Sequence, residues 1–322
     1  MRAVVVEEFG PAENLRLVDL QKPIPRPGEV IVKVAFCGVN FIDVYFRTGL
    51  YKVPPPVSIG SEASGIVDAI GDGVTDLRPG DRVAYAMVRG AYAEYASVPA
   101  AQVVKIPAAV SLEQAAAVLL QGMTAHYLTR STFPLKAGDT CLVHAAAGGT
   151  GALVVQMAHH IGARVFGTVS TPEKAAIARA AGADEVIFYT EQDFAAEARR
   201  LTDGRGVDVV YDGVGRSTYD KSLDSLRPRG MMVLFGYASG AVTSVDPSQL
   251  NTKGSLFLTR PTLAHYIATR EELTWRATEV LDLVASGRLT VRIDAVYPLD
   301  HAADAHRVLE GRGTTGKLLL SL

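Results

Sequence analysis

The stretch of this chain best suited to chemistry runs from Cys141 to Gly151 and reads CLVHAAAGGTG. Leu142 and Val143 suit a buried parallel strand, and Leu153, Val154, Met157 and Ile161 recur just beyond at helical spacing. The glycines therefore sit in a strand-to-helix turn. Gly148, Gly149 and Gly151 let the backbone approach a ligand closely, while the unpaired amides and positive dipole end of the following helix favour an anion. A phosphate-bearing cofactor is the natural tenant. Glycines alone could equally pack a helix on a sheet, so the neighbouring pattern has to decide. A second strand-like run at 164–169 and a second helix at 173–181 complete the βαβα unit of a dinucleotide fold. About 20 residues past the glycines, where NAD-binding proteins carry an acid for the ribose hydroxyls, the chain has Ser170, Thr171, Pro172 and Lys174. Hydroxyls and a cation suit a 2′-phosphate and predict NADPH rather than NADH. The same residues also read as a helix start, with Thr171 as N-cap, Pro172 at the first helical position and Lys174 on a solvated face. Both readings are compatible.

A chain of 322 residues with 48% hydrophobic content predicts about two domains. A net charge of −2, from 32 basic and 34 acidic residues, argues against a general polyanion-binding or membrane-binding surface. Cys37 and Cys141 form no CxxC pair, lie in apolar strand-like runs and read as buried thiols in a reducing compartment. The start MRAVVVEEFG lacks signal-peptide character and reads as a first strand, so a cytoplasmic location is expected. Residues 140–163 carry no Lys, Arg, Asp or Glu, but the central glycines and histidines reject a membrane span.

Up to about Pro107 the chain shows short β-like runs, RAVVV, EVIVKVAFC, ASGIVDAI, GDRVAYAM, AYAEYASV and QVVKI, broken by Pro and Gly. From Ser111 it turns helical, and strands follow at LVH, ARVFGTV, DEVIF, VDVVYDG, MMVLFG and SLFL. That alternation predicts an α/β fold with a doubly wound parallel sheet. A helix over 270–286, then RIDAVYPLD, a helix AADAHRVLEG and a strand KLLLSL, lead the chain back to its first domain. The predicted domains are 1–123 with 265–322, and 124–264, the cleft between them holding the active site.

The order of these parts resembles the medium-chain dehydrogenase/reductase superfamily, and within it the zinc-free quinone oxidoreductases related to zeta-crystallin. GDTCLVHAAAGGTGALVVQ is the most specific segment; CGVNFID at 37–43, GLY at 49–51, GSE at 60–62, QGMTA at 121–125 and TRP at 259–261 follow in the family's order. The resemblance implies a GroES-like β-rich catalytic domain and a Rossmann cofactor domain. It also implies a zinc-free site, because Asn40 and Ser61 stand where zinc alcohol dehydrogenases carry cysteine and histidine ligands, and neither is a usual zinc ligand. The four cysteines of those enzymes' structural zinc loop are missing near 88–95, and the adjacent His159 and His160 point apart on one helix.

Without a metal, and with no tyrosine followed four positions later by lysine, an acceptor that takes hydride readily is implied. Quinones qualify because the developing charge spreads over the ring; enones and alkenals qualify through enolate delocalisation. The resemblance places Asn40, Tyr45, Tyr51 and Gln121 beside the nicotinamide, where the tyrosines can stack on a flat ring and Asn40 can hydrogen-bond a carbonyl. For the cofactor it suggests Lys174, Tyr189 and Arg312, with Ser170, around the 2′-phosphate. Amides of Ala147, Gly148, Gly149, Thr150 and Gly151 would lie under the pyrophosphate, with Phe235, Thr259 and Arg260 further along the nucleotide. Electrons pass as hydride or singly. The alternatives are an NADPH-dependent alkenal, enone or enoyl-thioester reductase and, from another class, an RNA-binding or crystallin-like protein. The family also implies a homodimer joined at MMVLFG and SLFLTR.

Overall fold

The computed structural model describes residues 1–311 and 313–322, so Arg312 lies outside the described residues. The chain divides into two compact units, Met1–Met123 with Tyr266–Leu322, and Thr124–His265. The first begins with β1 (Arg2–Val6), β2 (Leu15–Asp19), β3 (Glu29–Val39), α1 (Phe41–Arg47), β4 (Val57–Ser58), β5 (Glu62–Ile70), β6 (Arg82–Ala86), β7 (Tyr95–Pro99), β8 (Val103–Lys105) and α2 (Leu112–Tyr127). Strand β3 is the spine: β5 and β7 pair antiparallel with it, and Val30, Ile31, Val32, Val34, Cys37 and Val39 are all buried. A near-continuous apolar run of this kind marks a strand covered on both faces. AYAEYASV forms a strand only in its second half. Residues 92–94 instead tie β1 to the larger sheet, Val4 N donating to Tyr92 O at 2.8 Å and Val34 N to Glu94 O at 3.0 Å.

The second unit contains β9 (Thr140–Val143), α3 (Gly149–Ile161), β10 (Arg164–Val169), α4 (Pro172–Ala180), β11 (Glu185–Phe188), α5 (Phe194–Leu201), β12 (Val207–Asp212), α6 (Tyr219–Asp224), β13 (Leu226–Leu234), α7 (Pro247–Thr252), β14 (Phe257–Thr259) and α8 (Leu263–Tyr266), the last ending at the boundary. Its six strands pair parallel in the order β11-β10-β9-β12-β13-β14. This is the doubly wound nucleotide-binding order, whose direction reverses between β9 and β12. Parallel pairing puts the carboxyl ends of all six strands on one edge. Cys141, Leu142 and Val143 are wholly buried and fix β9 at the centre.

The chain then returns to the first unit through α9 (Arg270–Ala285), β15 (Ile293–Pro298), α10 (Ala302–Glu310) and β16 (Lys317–Ser321). Strand β16 runs antiparallel to β3, with Leu320 opposite Cys37 and Leu318 opposite Val39, and parallel to β15. Both cysteines are free and buried, and burial pushes each thiol well above its ordinary value. Among the described residues no helix is long and apolar enough to cross a membrane.

Candidate active site and cofactor site

In the first unit, Asn40 is the N-cap of α1, and Asp43 three residues on accepts its backbone N–H at 3.0 Å. FIDVYFR is poor helix sequence, rich in aromatic and β-branched residues, so the cap and burial hold the turn. Asn40 is buried and its carboxamide is committed. Nδ2 donates to Gly38 O at 3.1 Å and Glu62 Oε2 at 3.0 Å, while Oδ1 accepts from Lys317 Nζ at 2.7 Å. The orientation is forced, because a flipped amide would set donor against ammonium and acceptor against carboxylate. Neither amide hydrogen remains for a substrate carbonyl, which corrects the donor role expected of Asn40.

Glu62 and Lys317 form a fully buried ion pair at 2.7 Å. The other Glu62 oxygen accepts from Leu120 N at 2.6 Å, so one carboxylate ties β5, β16, the start of α1 and the helix turn that bears Gln121. Gly38 makes room for the pair: a Cβ there would lie 2.1 Å from Glu62 Oε2 and 2.8 Å from Lys317 Cε. Gln121 Oε1 is enclosed and has no hydrogen-bond partner. Tyr51 packs edge-on against Tyr45, ring centroids 5.4 Å apart, and against Phe46 at 5.6 Å; its backbone N–H donates to Tyr45 O. Tyr45 is buried and Tyr51 half-buried. The four expected active-site residues thus belong to one contiguous part of this unit.

A second buried chain runs from Asp43. Ser61 Oγ donates to Asp43 Oδ1 at 2.7 Å, Tyr92 OH lies 3.4 Å from Asp43 Oδ2 and 3.2 Å from His306 Nε2, and Arg47 Nη1 is 3.1 Å from His306 Nδ1. A guanidinium only donates, so Nδ1 accepts, Nε2–H donates to Tyr92, and Tyr92 donates to Asp43. Burial and the neighbouring Arg47 hold His306 down to about 3, consistent with a neutral ring. Burial raises Asp43 to about 7, against the opposing hydrogen bonds from Ser61 and Asn40. Since Arg47 does not surrender a proton, the chain is a strut between α1 and α10 rather than a proton path.

A zinc ion does not fit this site. Asn40 and Ser61 are spent on Glu62, Lys317 and Asp43, and the Lys317 ammonium already stands against Asn40. No group of three or more His, Cys, Asp or Glu residues able to hold a metal occurs among the described residues. His159 and His160 keep their rings 6.3 Å apart.

In the second unit the backbone supplies the functional atoms. Gly148 is the N-cap of α3 and makes no side-chain cap, which leaves the first amides of the helix unsatisfied by any side chain. Ala145 holds φ at +51°, a left-handed conformation that costs an alanine roughly 1–2 kcal/mol. Its carbonyl accepts from Gly148 N at 2.8 Å and would sit 2.2 Å from a Cβ on Gly151, so that glycine lets the helix close onto the turn. Ala147 is buried, and Gly148, Gly149 and Thr150 are half-buried.

Ser170 follows β10 and Tyr189 follows β11, where Tyr189 N donates to Val169 O at 3.2 Å. Thr171 caps α4 through Oγ1, accepting from Lys174 N at 3.3 Å, with Pro172 at the first helical position. The helix-start reading therefore holds, and it leaves the half-buried Lys174 side chain in the same first turn. Phe235 follows β13, its amide donating to Asp212 O at 2.8 Å; Thr259 ends β14, and Arg260 comes next. Arg260 Nη1 donates to Pro261 O, its guanidinium lies 4.3 Å from the Tyr237 ring centre, and Nε is enclosed without a partner. An orphaned buried donor just past the carboxyl end of a strand is the kind of group a bound ligand satisfies. All these positions follow strand carboxyl ends on one edge, so the turn, the open Nε and the Ser170–Lys174 pair fit a dinucleotide.

Sequence reasoning missed the Glu62–Lys317 pair, the Asp43 strut and a buried cluster around His144. The one available signal was for the ion pair, a lysine at the head of the apolar run KLLLSL; Glu62 lies among small and polar residues in GSEASG and does not stand out.

Residues 26–108 match the alcohol dehydrogenase GroES-like domain, and residues 149–286 match the zinc-binding dehydrogenase family. Quinone oxidoreductase 1 of Escherichia coli is 46% identical over 317 residues, 97% of each chain. A 2-haloacrylate reductase of Burkholderia is 42% identical over 328 residues, 99% of this chain and 98% of its own. The solved structure of E. coli quinone oxidoreductase complexed with NADPH superposes with a TM-score of 0.98, at 44% identity and full coverage of both chains.

Proposed function

Because the chain belongs to the quinone oxidoreductases of the medium-chain dehydrogenase/reductase superfamily, we infer that it is an NADPH-dependent oxidoreductase that reduces a quinone without a metal. The observation that carries this reading is the uncapped glycine turn between β9 and α3, in a chain matched over its full length by a relative solved with NADPH. When bound, NADPH supplies the electron pair as hydride. Amides of Ala147, Gly149, Thr150 and Gly151 hold the pyrophosphate, with Gly148 giving its own amide to Ala145 O and allowing close approach; Ser170, Lys174 and Tyr189 receive the 2′-phosphate, with Arg312 assigned there by resemblance. Phe235, Thr259 and the open Nε of Arg260 orient the nicotinamide end. Tyr45 and Tyr51 offer the substrate ring an aromatic wall. Gln121 Oε1 accepts a hydrogen bond from bound ligand, and Asn40 acts by fixing Glu62 and Lys317. Residues 1–123 with 265–322 form the catalytic domain and 124–264 the dinucleotide domain.

The Burkholderia relative supports a second reading, reduction of an activated alkene. Nucleotide titration by nicotinamide fluorescence, followed by a panel of quinones, enones and a 2-haloacrylate, separates the two. The expected outcome is tighter binding of NADPH than NADH and fastest turnover with quinones; no affinity for either nucleotide overturns both readings. We also propose a cytoplasmic homodimer joined at the β14 edge. Phe257 on that outermost strand is 58% exposed, an apolar residue that pairing would cover. Light scattering at micromolar concentration checks it, and a monomer would oppose it.

A further inference from the structure

A polar cluster beneath the glycine turn is as buried as the core, with His144, Thr168, Asp212 and Ser222 each no more than 2% exposed. His144 is the residue after β9 and immediately precedes the left-handed Ala145. Its Nδ1 lies 2.9 Å from Thr168 Oγ1 in β10, and its Nε2 lies 2.9 Å from Ser222 Oγ in α6. Ser222 Oγ donates to Asp212 Oδ2 at 3.1 Å, and Thr218 Oγ1 donates to the same oxygen at 2.7 Å. Asp212 Oδ1 accepts the amides of Val214 and Gly215.

The directions of these bonds follow from the groups. A carboxylate only accepts, so the Ser222 hydrogen points to Asp212, Ser222 accepts from His144 Nε2–H, and Thr168 donates to Nδ1. Burial lowers the His144 pKa, which matches a neutral ring with one donor and one acceptor. Ser, His and Asp here are not a nucleophilic set: the imidazole donates to the hydroxyl instead of taking its proton, and the hydroxyl is closed to solvent. The cluster instead joins the carboxyl ends of β9, β10 and β12. Backbone bonds reinforce it, His144 N donating to Tyr211 O at 3.0 Å and Ala146 N to Thr168 O at 3.1 Å. Residues 144 and 146 are thus pinned on both sides of Ala145, and a left-handed alanine persists only where its surroundings fix it.

We propose that His144, through its bonds to Thr168 and Ser222, is a positioning residue for the nucleotide: it locks the turn at Ala145, whose carbonyl takes the Gly148 amide, so that the amides of Ala147, Gly149, Thr150 and Gly151 are preset for a pyrophosphate. The proposal rests on the reading of that turn as the NADPH site. The test compares the wild-type enzyme with His144→Gln, Thr168→Val and Ser222→Ala. Affinities for NADPH and NADH are measured by nicotinamide fluorescence, and quinone KM at saturating NADPH. His144→Gln should weaken NADPH by about tenfold, the size of a lost hydrogen-bonded anchor, and each hydroxyl variant by a smaller factor. Both nucleotides share the pyrophosphate, so NADH should weaken by the same factor while quinone KM stays constant. A lower melting temperature with unchanged nucleotide affinity would show a merely structural cluster and overturn the proposal, as would a changed NADPH-to-NADH ratio. If His144→Gln does not fold, the two hydroxyl variants decide by the same criteria. A wild-type enzyme that binds neither nucleotide would instead sink the cofactor reading itself.

Discussion

The two units solve opposite problems. The first buries charged and polar side chains that are spent on one another, Glu62 on Lys317, Asn40 on both, and Asp43 on Ser61 and Tyr92. The second presents backbone amides at a helix start and keeps its buried side chains underneath, around a neutral imidazole. Charge inside the first unit therefore acts as scaffold, and on the function proposed above the contacts to substrate are left to Tyr45, Tyr51 and Gln121. In the second, on the same proposal, backbone geometry would do the recognition and side chains would adjust it.

The largest loss is expected at the buried ion pair. Lys317→Met should destabilise the fold by about 3–5 kcal/mol, because it strands Glu62 without a counter-charge; Lys317→Met with Glu62→Gln should recover part of that in denaturant unfolding. In the second unit the matching lesion is steric. Gly151→Ala drives a methyl against Ala145 O and should cost about 1–3 kcal/mol, with a larger fractional loss of NADPH affinity than of stability.

Asp43 separates the units by pH. Its pKa is raised to about 7 in the folded protein, so its contribution to stability is fully present below the ordinary carboxylate value and is lost as pH rises towards 7. The slope over that window reaches about 1.4 kcal/mol per pH unit. His306, held down to about 3, contributes a slope of the opposite sign up to its ordinary value, so Asp43→Asn should make stability rise more steeply with pH than in the wild type between pH 4 and about 6.5; a difference profile with no pH dependence would mean that Asp43 is ionised throughout. The smallest effect belongs to Lys174→Ala, which should leave melting unchanged and lower the preference for NADPH over NADH by about tenfold, as expected for one lost charged hydrogen bond.

Much of the second unit was legible because its turn is set by chain geometry, and glycines record chain geometry. Gly148 and Gly151 marked the turn, and the alternation of βα segments marked the parallel sheet. The expected strands at LVH, ARVFGTV, DEVIF and SLFL all form, with ends shifted by a residue or two. The first unit was harder to read. FIDVYFR gave no helical signal because capping and burial, not propensity, make α1. LRLVD, which forms β2, is too short and half-polar to stand out. Asn40 stands out for its chemistry, yet its role depends on Lys317, 277 positions away, and no local pattern reports such a partner. Gly38 appears in the sequence only as part of CGVNFID, and only the ion pair explains why a side chain is forbidden there.

The position of Lys317 near the end of the chain has a consequence for biosynthesis. The second unit is one continuous stretch and is complete once residue 265 has emerged from the ribosome. The first cannot close until β16 arrives to pair with β3 and bring the ammonium to Glu62. Until then a carboxylate made among the earliest residues waits without its counter-charge, so a nascent chain stalled before Lys317 should already hold a folded nucleotide module while its amino-terminal part remains open to protease.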